Sequence, residues 1–247
     1  MKILFVVALP LELKIIKQEI KKLEIRELQV DFLLSGVGNY NTIYNLKEYI
    51  ERSGKPDFIV NLGVCGKIEK ITHDFIQVYR IKNLSDNKEK ICPVYIDFGD
   101  LESITSSEEI VSENNKLLDE KYVDMESFGV DFIASKEKIP YIILKIPFDE
   151  VGVKSKQVDL KKLEESFLTF PYKELFDKIQ NYLERNIKEV EKDLSFYKKY
   201  FKLTFSEYEI LKRNYNKFLA YGLSFEDFFE NNKDLTKEKF IDEINKK

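Results

Sequence analysis

The sequence predicts an α/β protein with a mainly parallel central sheet covered by helices on both faces and a C-terminal helical extension. Three observations point there. Short β-branched runs alternate with amphipathic stretches through the first 150 residues, seven of the nine glycines fall in that part, and the rest reads as helix almost to the end. Strands that alternate with helices form sheets with both faces covered, and their buried strands read as continuous apolar runs. The expected division is an α/β domain over residues 1–185 and a helical extension over 186–247.

The elements follow in order. Ile3–Ala8 reads as a buried strand, since its apolar run is too short and too quickly followed by an amphipathic pattern to be a signal peptide. A helix is expected over 11–24, a strand over Val30–Leu34, a helix over 40–52 and a strand over Phe58–Leu62. Further strands are expected at Phe75–Ile81, Val94–Phe98, a short run entering Met125, and Tyr141–Ile146, with a helix over about 127–138. Residues 85–93 read as a polar turn and 150–162 as a connector. Beyond it, Leu175, Ile179, Tyr182 and Leu183 recur at helical spacing, as do Tyr208, Leu211 and Tyr215. This aromatic tail suits packing or oligomerisation, and a homodimer is expected.

Composition narrows the chemistry. His73 is the one histidine, so no multi-histidine zinc site or two-histidine acid/base pair is available. Acid/base work falls to carboxylates. A net charge of −4 offers no overall positive field for a polyanion, which argues against nucleic acid as the main partner. Cys65 and Cys92 are too few for a disulfide framework and read as reduced core thiols of a cytoplasmic protein. No run reaches the ~18 apolar residues of a membrane span, and neither a full G-x-G-x-x-G nor a G-x-x-x-x-G-K-[ST] loop occurs. No cofactor and no metal are expected.

Ligands of open α/β sheets collect beyond the carboxyl ends of strands. The segments expected there are Leu9-Pro10-Leu11-Glu12, Ser35-Gly36-Val37-Gly38-Asn39, Asn61-Leu62-Gly63-Val64-Cys65-Gly66, and the acidic pair Asp124-Met125-Glu126-Ser127 and Phe148-Asp149. Taken singly, Pro10 and Glu12 fit a helix start, Asp124 or Ser127 a helix cap, and Asp149 a turn acid. Jointly they set three acids at three strand ends. A strand–helix–strand unit between Glu126 and Asp149 is expected to bring both to one edge of the sheet.

These segments resemble the nucleoside phosphorylase and nucleosidase superfamily, specifically its methylthioadenosine/S-adenosylhomocysteine nucleosidase-like branch. The resemblance covers roughly residues 1–150. Met1-Lys2-Ile3 through Glu12 is similar to the family's first strand and following acid, Ser35-Gly36-Val37-Gly38 to its S-G-I-G loop, and Asn61 through Gly66 to N-x-G-x-A-G. Val123-Asp124-Met125-Glu126 is similar to V-x-M-E, and Asp149 lies at the family's interval from that glutamate.

The resemblance implies a three-layer α/β/α phosphorylase/hydrolase-like fold with a mixed, mainly parallel central sheet, and cleavage of the N-ribosidic bond of a purine nucleoside. It assigns Asp149 as the acid that protonates the base, Glu126 as the acceptor of ribose hydroxyls, Glu12 as the residue that orients water, and Met125 as packing against the sugar. Gly36, Gly66, Val64, Ile110, Val111 and Phe148 complete the expected substrate contacts, with the segment Thr105–Ser112 in the place of the base-stacking segment. The chain departs from the family at Val64, Lys67, Lys145 and Phe148, where a hydroxyl residue, a glycine, an arginine and a serine are usual. Arginine is missing from all of these segments, which favours hydrolysis over phosphorolysis because a phosphate dianion calls for arginine or several free N–H groups. A phosphorylase and a catalytically inactive nucleoside-binding module are the alternatives.

Overall fold

The computed structural model describes the chain except residues 24, 26–27, 69–72, 112–119, 152–158, 221–223 and 246–247, and the side chains of 187–193, 213 and 216–220. It divides into two compact units, Met1–Tyr182 and Leu183–Lys247.

The first unit opens with β1 (Lys2–Val7), α1 (Pro10–Lys21), β2 (Gln29–Leu34), α2 (Asn39–Ser53) and β3 (Phe58–Lys67). There follow β4 (Ile76–Asn83), β5 (Lys88–Ile91), β6 (Asp100–Ser106), β7 (Tyr122–Asp124), α3 (Ser127–Glu137), β8 (Tyr141–Glu150), α4 (Leu160–Leu168) and the start of α5 (Tyr172–Tyr200). The sheet is mixed: β1 pairs in parallel with β2 and β3, β3 with β8, and β4 and β7 with β6, whereas β7 on β3, β5 on β4 and β8 on β4 are antiparallel. Because β8 pairs both β3 and β4, the strands β3, β7, β6, β4 and β8 close on themselves. Closure leaves β8 without a free edge and buries it.

The period of two in β1 sorts its side chains to opposite faces. Leu4 and Val6 join Leu46, Ile50, Val130 and Ile133 in a core with α2 and α3. Phe5 points the other way, its ring 5.7 Å from Phe176 of α5. Helices α2 and α3 pack closely where α3 carries Gly129, since a Cβ there would lie 2.7 Å from the Asn39 carbonyl oxygen. These are the covered faces of an α/β sheet.

Four expectations are corrected. Residues 63–66 are not a loop: β3 runs on to Lys67, because β8 pairs with it through Gly63↔Lys145 and beyond, with a register shift between Cys65 and Gly66. Val94–Phe98 is not a strand. Ile96 and Phe98 are buried, but the Gln77 side chain takes the place of a ladder there, donating to the Ile96 carbonyl (2.9 Å) and accepting from the Phe98 N–H (2.8 Å). The expected turn at 85–93 is a tight turn over 84–87 followed by β5, and the strand β6 was not anticipated. Residues 152–158 of the expected connector, and Ser112 of the expected stacking segment, lie outside the described residues.

The second unit holds the remainder of α5 with α6 (Phe205–Ala220), α7 (Phe225–Asn232) and α8 (Lys237–Asn245). Its own core gathers Leu194, Tyr197, Phe201, Tyr208, Leu211, Phe225, Phe229 and Phe240, with the rings of Phe201 and Phe240 stacked at 4.2 Å. The aromatic tail therefore buries surface within itself. Among the described residues, no helix is long and apolar enough to cross a membrane.

Candidate functional site

A cleft of about 310 Å³ opens where β1, β3, β7 and β8 end. Glu12, Val64, Gly66, Ile110, Val111, Met125, Glu126 and Asp149 all line it. Gly36 and Phe148 do not. Gly36 turns the chain with φ +72°, and its neighbour Val37 reaches the cleft instead. Phe148 stands at the register shift where β8 carries one residue more than β3, so that Pro147 pairs Cys65 and Asp149 pairs Gly66.

Glu12 sits in the first turn of α1, which begins at Pro10. Its carboxylate reaches back to accept from the Leu9 N–H (3.2 Å) and across to accept from the Val64 N–H of β3 (3.0 Å). Burial raises its pKa to about 7, against the pull of the Val64 hydrogen bond and the Lys145 charge. A carboxyl poised there exchanges a proton with water near neutrality.

Asp124 and Glu126 flank Met125 at the junction of β7 and α3. Asp124 accepts from the Ser127 N–H (2.9 Å) and hydroxyl (2.6 Å), fixing the start of α3. Its same oxygen lies 2.7 Å from the Lys145 ammonium, which is also 3.3 Å from Glu126. Lys145 is 1% exposed. Burial alone would depress its pKa, but Asp124 and Glu126 more than reverse this and hold the ammonium charged. Glu126 also accepts from the Gly38 N–H at the start of α2 (3.4 Å), and burial pushes its pKa upward.

Asp149 enters from β8 on the same stretch as Gly66, half-buried, with its pKa raised by burial. Its meeting with Glu126 does not arise as expected. β7 runs antiparallel to β3, and β8 parallel to it, so β7 and β8 oppose each other. The two acids share a cleft because Gly66 pairs with Val123 on one side and Asp149 on the other. Glu109, Ile110 and Val111 line another wall, held by the Ser107 hydroxyl, which donates to the Glu109 carbonyl (2.8 Å), and the Ser107 N–H, which donates to the Asp124 carbonyl (2.9 Å).

The ion pair of Asp124 with Lys145 is the part of the site that motif reading missed. Its signal was present, because a lone lysine inside the apolar run Tyr141–Ile146 must find a carboxylate if that strand is buried. His73 stays outside the cleft, with Nδ1 2.8 Å from the Tyr122 hydroxyl.

No family model matches the sequence, and no curated relative matches it at a significant level. Solved structures do match. A 5′-methylthioadenosine/S-adenosylhomocysteine nucleosidase from Helicobacter pylori, solved with butyl-thio-DADMe-Immucillin-A, aligns at a TM-score of 0.58 and 14% identity over 74% of this chain and 98% of that one. An S-adenosylhomocysteine nucleosidase from Streptococcus pyogenes, in complex with 5-methylthiotubericidin, gives 0.58 and 14% over 73% and 97%. A futalosine hydrolase mutant of Helicobacter pylori gives 0.59 and 15% over 74% and 99%. The chain shares the fold of these enzymes.

Proposed function

We propose that this chain is a nucleosidase that hydrolyses the N-ribosidic bond of a purine nucleoside of methylthioadenosine/S-adenosylhomocysteine or futalosine type. The observation that carries this reading is the convergence of Glu12, Glu126 and Asp149, from three separate elements, on one cleft. Breaking an N-ribosidic bond develops an oxocarbenium ion on the sugar and negative charge on the departing base. The reaction needs a proton at the base, an anchor on the ribose and a placed nucleophile.

Asp149 is assigned the proton for the base, since its raised pKa keeps the acid form available at higher pH than for an ordinary aspartate. Glu126 is assigned the ribose hydroxyls. Its carboxylate is held by Lys145 and Gly38, so it is already oriented before a ligand arrives. Glu12 is assigned the attacking water, because a carboxylate with a pKa of about 7 accepts a proton from water better than an ordinary glutamate. Met125, between the ion-paired acids, is assigned to the sugar face. The similarly folded enzymes solved with 5-methylthiotubericidin and butyl-thio-DADMe-Immucillin-A support a nucleoside-like ligand. Among the described residues no arginine lines the cleft, which favours water over phosphate as nucleophile.

Base release from methylthioadenosine, S-adenosylhomocysteine, futalosine and inosine, with and without phosphate, tests the reading. Phosphate-independent release of purine from at least one of them is expected. Release that requires phosphate would make the chain a phosphorylase, and binding without release a nucleoside-binding module.

A further inference from the structure

The second unit carries a basic, aromatic corner where α5 gives way to α6. Residues 194–206 hold no acid, three lysines (Lys198, Lys199, Lys202) and five aromatic side chains (Phe196, Tyr197, Tyr200, Phe201, Phe205), within a chain of net charge −4. The helical period sorts the rings. Tyr197 and Phe201 turn inward to the core of the unit, whereas Phe196 and Tyr200, each one position earlier, form an outward stripe. Phe196 is 55% exposed, Tyr200 49%, and Phe205, the first residue of α6, 77%.

The corner itself is held by the backbone. Lys202 ends α5 in the left-handed region (φ +49°), and the Leu203 N–H donates to the Lys198 carbonyl (3.0 Å). Thr204 caps α6: its hydroxyl accepts from the Glu207 N–H (3.4 Å), and the Glu207 carboxylate accepts from the Thr204 N–H (2.7 Å). The charge of Glu207 is met by Lys237 at 2.9 Å rather than by the lysines of the corner. Those three lysines are exposed, and among the described residues none of them is ion-paired, although Lys198 lies over the Tyr208 ring.

Three ammonium groups around three outward rings call for a surface that is anionic and has an apolar layer beneath. A bilayer containing anionic phospholipid has both. Lysines meet its headgroup phosphates, and aromatic rings settle at the boundary of headgroups and acyl chains. Basic charge joined to apolar insertion holds a protein to a membrane where either alone is marginal. A second copy fits poorly, since an isologous contact sets the lysines against themselves. A peptide is received in a groove, whereas these rings stand out from a helix–helix corner. A nucleic-acid strand needs cations along a track, and these share one spot. We propose that this corner docks the chain on anionic membrane surfaces, with Lys198, Lys199 and Lys202 against the headgroups and Phe196, Tyr200 and Phe205 inserted between them.

Co-sedimentation of the full chain with vesicles tests it, using phosphatidylcholine alone and an equal mixture of phosphatidylcholine and phosphatidylglycerol, at low and high salt. Binding to the anionic vesicles is expected at low salt, weaker binding at high salt, and little to the neutral vesicles. Lys199→Gln/Lys202→Gln should lower the affinity by about tenfold or more, and Phe205→Ser by about fivefold. Both variants should keep the parent's thermal midpoint, because the altered side chains are exposed. The chain has no tryptophan, so Phe205→Trp places a single reporter whose emission should shift to the blue on anionic vesicles. Absence of binding to the anionic vesicles, equal binding to both kinds, or binding indifferent to both sets of substitutions overturns the proposal. So does capture of a single-stranded oligonucleotide in place of vesicles, or self-association that Phe205→Ser abolishes without any vesicle binding, which would make the corner a nucleic-acid or subunit contact.

Discussion

The inner and outer ends of the cleft hold their acids differently. At the inner end Glu12, Asp124, Glu126 and Lys145 are all 6% exposed or less and are joined to one another or to backbone N–H groups. At the outer end Asp149 is half-buried, and among the described residues no hydrogen bond reaches its carboxylate. Under the proposed function, the contrast separates two tasks. Groups that must keep one orientation for ribose and water are fixed by a buried network, which costs desolvation but removes reorganisation. A proton donor to a departing base needs a raised pKa and freedom to reach its acceptor, and partial burial supplies both.

The largest effect is expected from breaking the inner network. Lys145→Met leaves Asp124 and Glu126 buried without their counter-charge, and a loss of about 3–5 kcal/mol in unfolding free energy is expected by urea denaturation. A loss below about 1 kcal/mol would mean that the inner acids are no more committed than surface pairs.

Glu12 tests the same end through pH. Its carboxyl titrates at about 7 in the folded chain against a reference of 4.5, so the native state binds the extra proton between these values. Stability from this group is present below about 4.5 and is lost as pH rises through 7, by up to about 3 kcal/mol. Glu12→Gln should remove that slope, so the variant gains on the parent as pH rises from about 5 to about 8. Parallel stability curves would show that Glu12 is not the titrating group.

At the outer end, Asp149→Asn should lower turnover by about two orders of magnitude while leaving nucleoside affinity largely intact, because it removes a proton donor and keeps the shape. Unchanged turnover would refute the assignment. The smallest effect is expected from Ser127→Ala, which deletes one of the hydrogen bonds that orient Asp124. About 1 kcal/mol is expected in thermal denaturation, with ligand affinity nearly unchanged.

The inner and outer ends also differed in how far the sequence revealed them. Glu12, Glu126 and Asp149 were legible because each stands at a motif near a strand end. The buried pair of Asp124 and Lys145 was less so, since Asp124 alone reads as a helix cap, and it does serve as one. The opposed directions of β7 and β8 are not legible in the sequence, because the interval between Glu126 and Asp149 carries no record of strand direction, which is set by the closing of β3, β7, β6, β4 and β8. Two glycines made residues 63–66 look like a loop, but pairing on both sides overrides that local preference. β6 escaped notice because Asp100-Leu101-Glu102-Ser103-Ile104-Thr105-Ser106 has only two apolar side chains, and its place is secured by β4 and β7. The helical tail was legible from its spacing, since Tyr208 and Leu211 both enter the core of the second unit.

The most direct measurement is a crystal structure of the chain with an uncleavable purine nucleoside analogue. The ribose hydroxyls should bond to Glu126, a water should bridge Glu12 and the anomeric carbon, and N7 of the base should lie within hydrogen-bonding distance of Asp149. A ligand bound in the reverse sense, with its base at the inner network and its sugar toward Asp149, would contradict the division of tasks between the two ends.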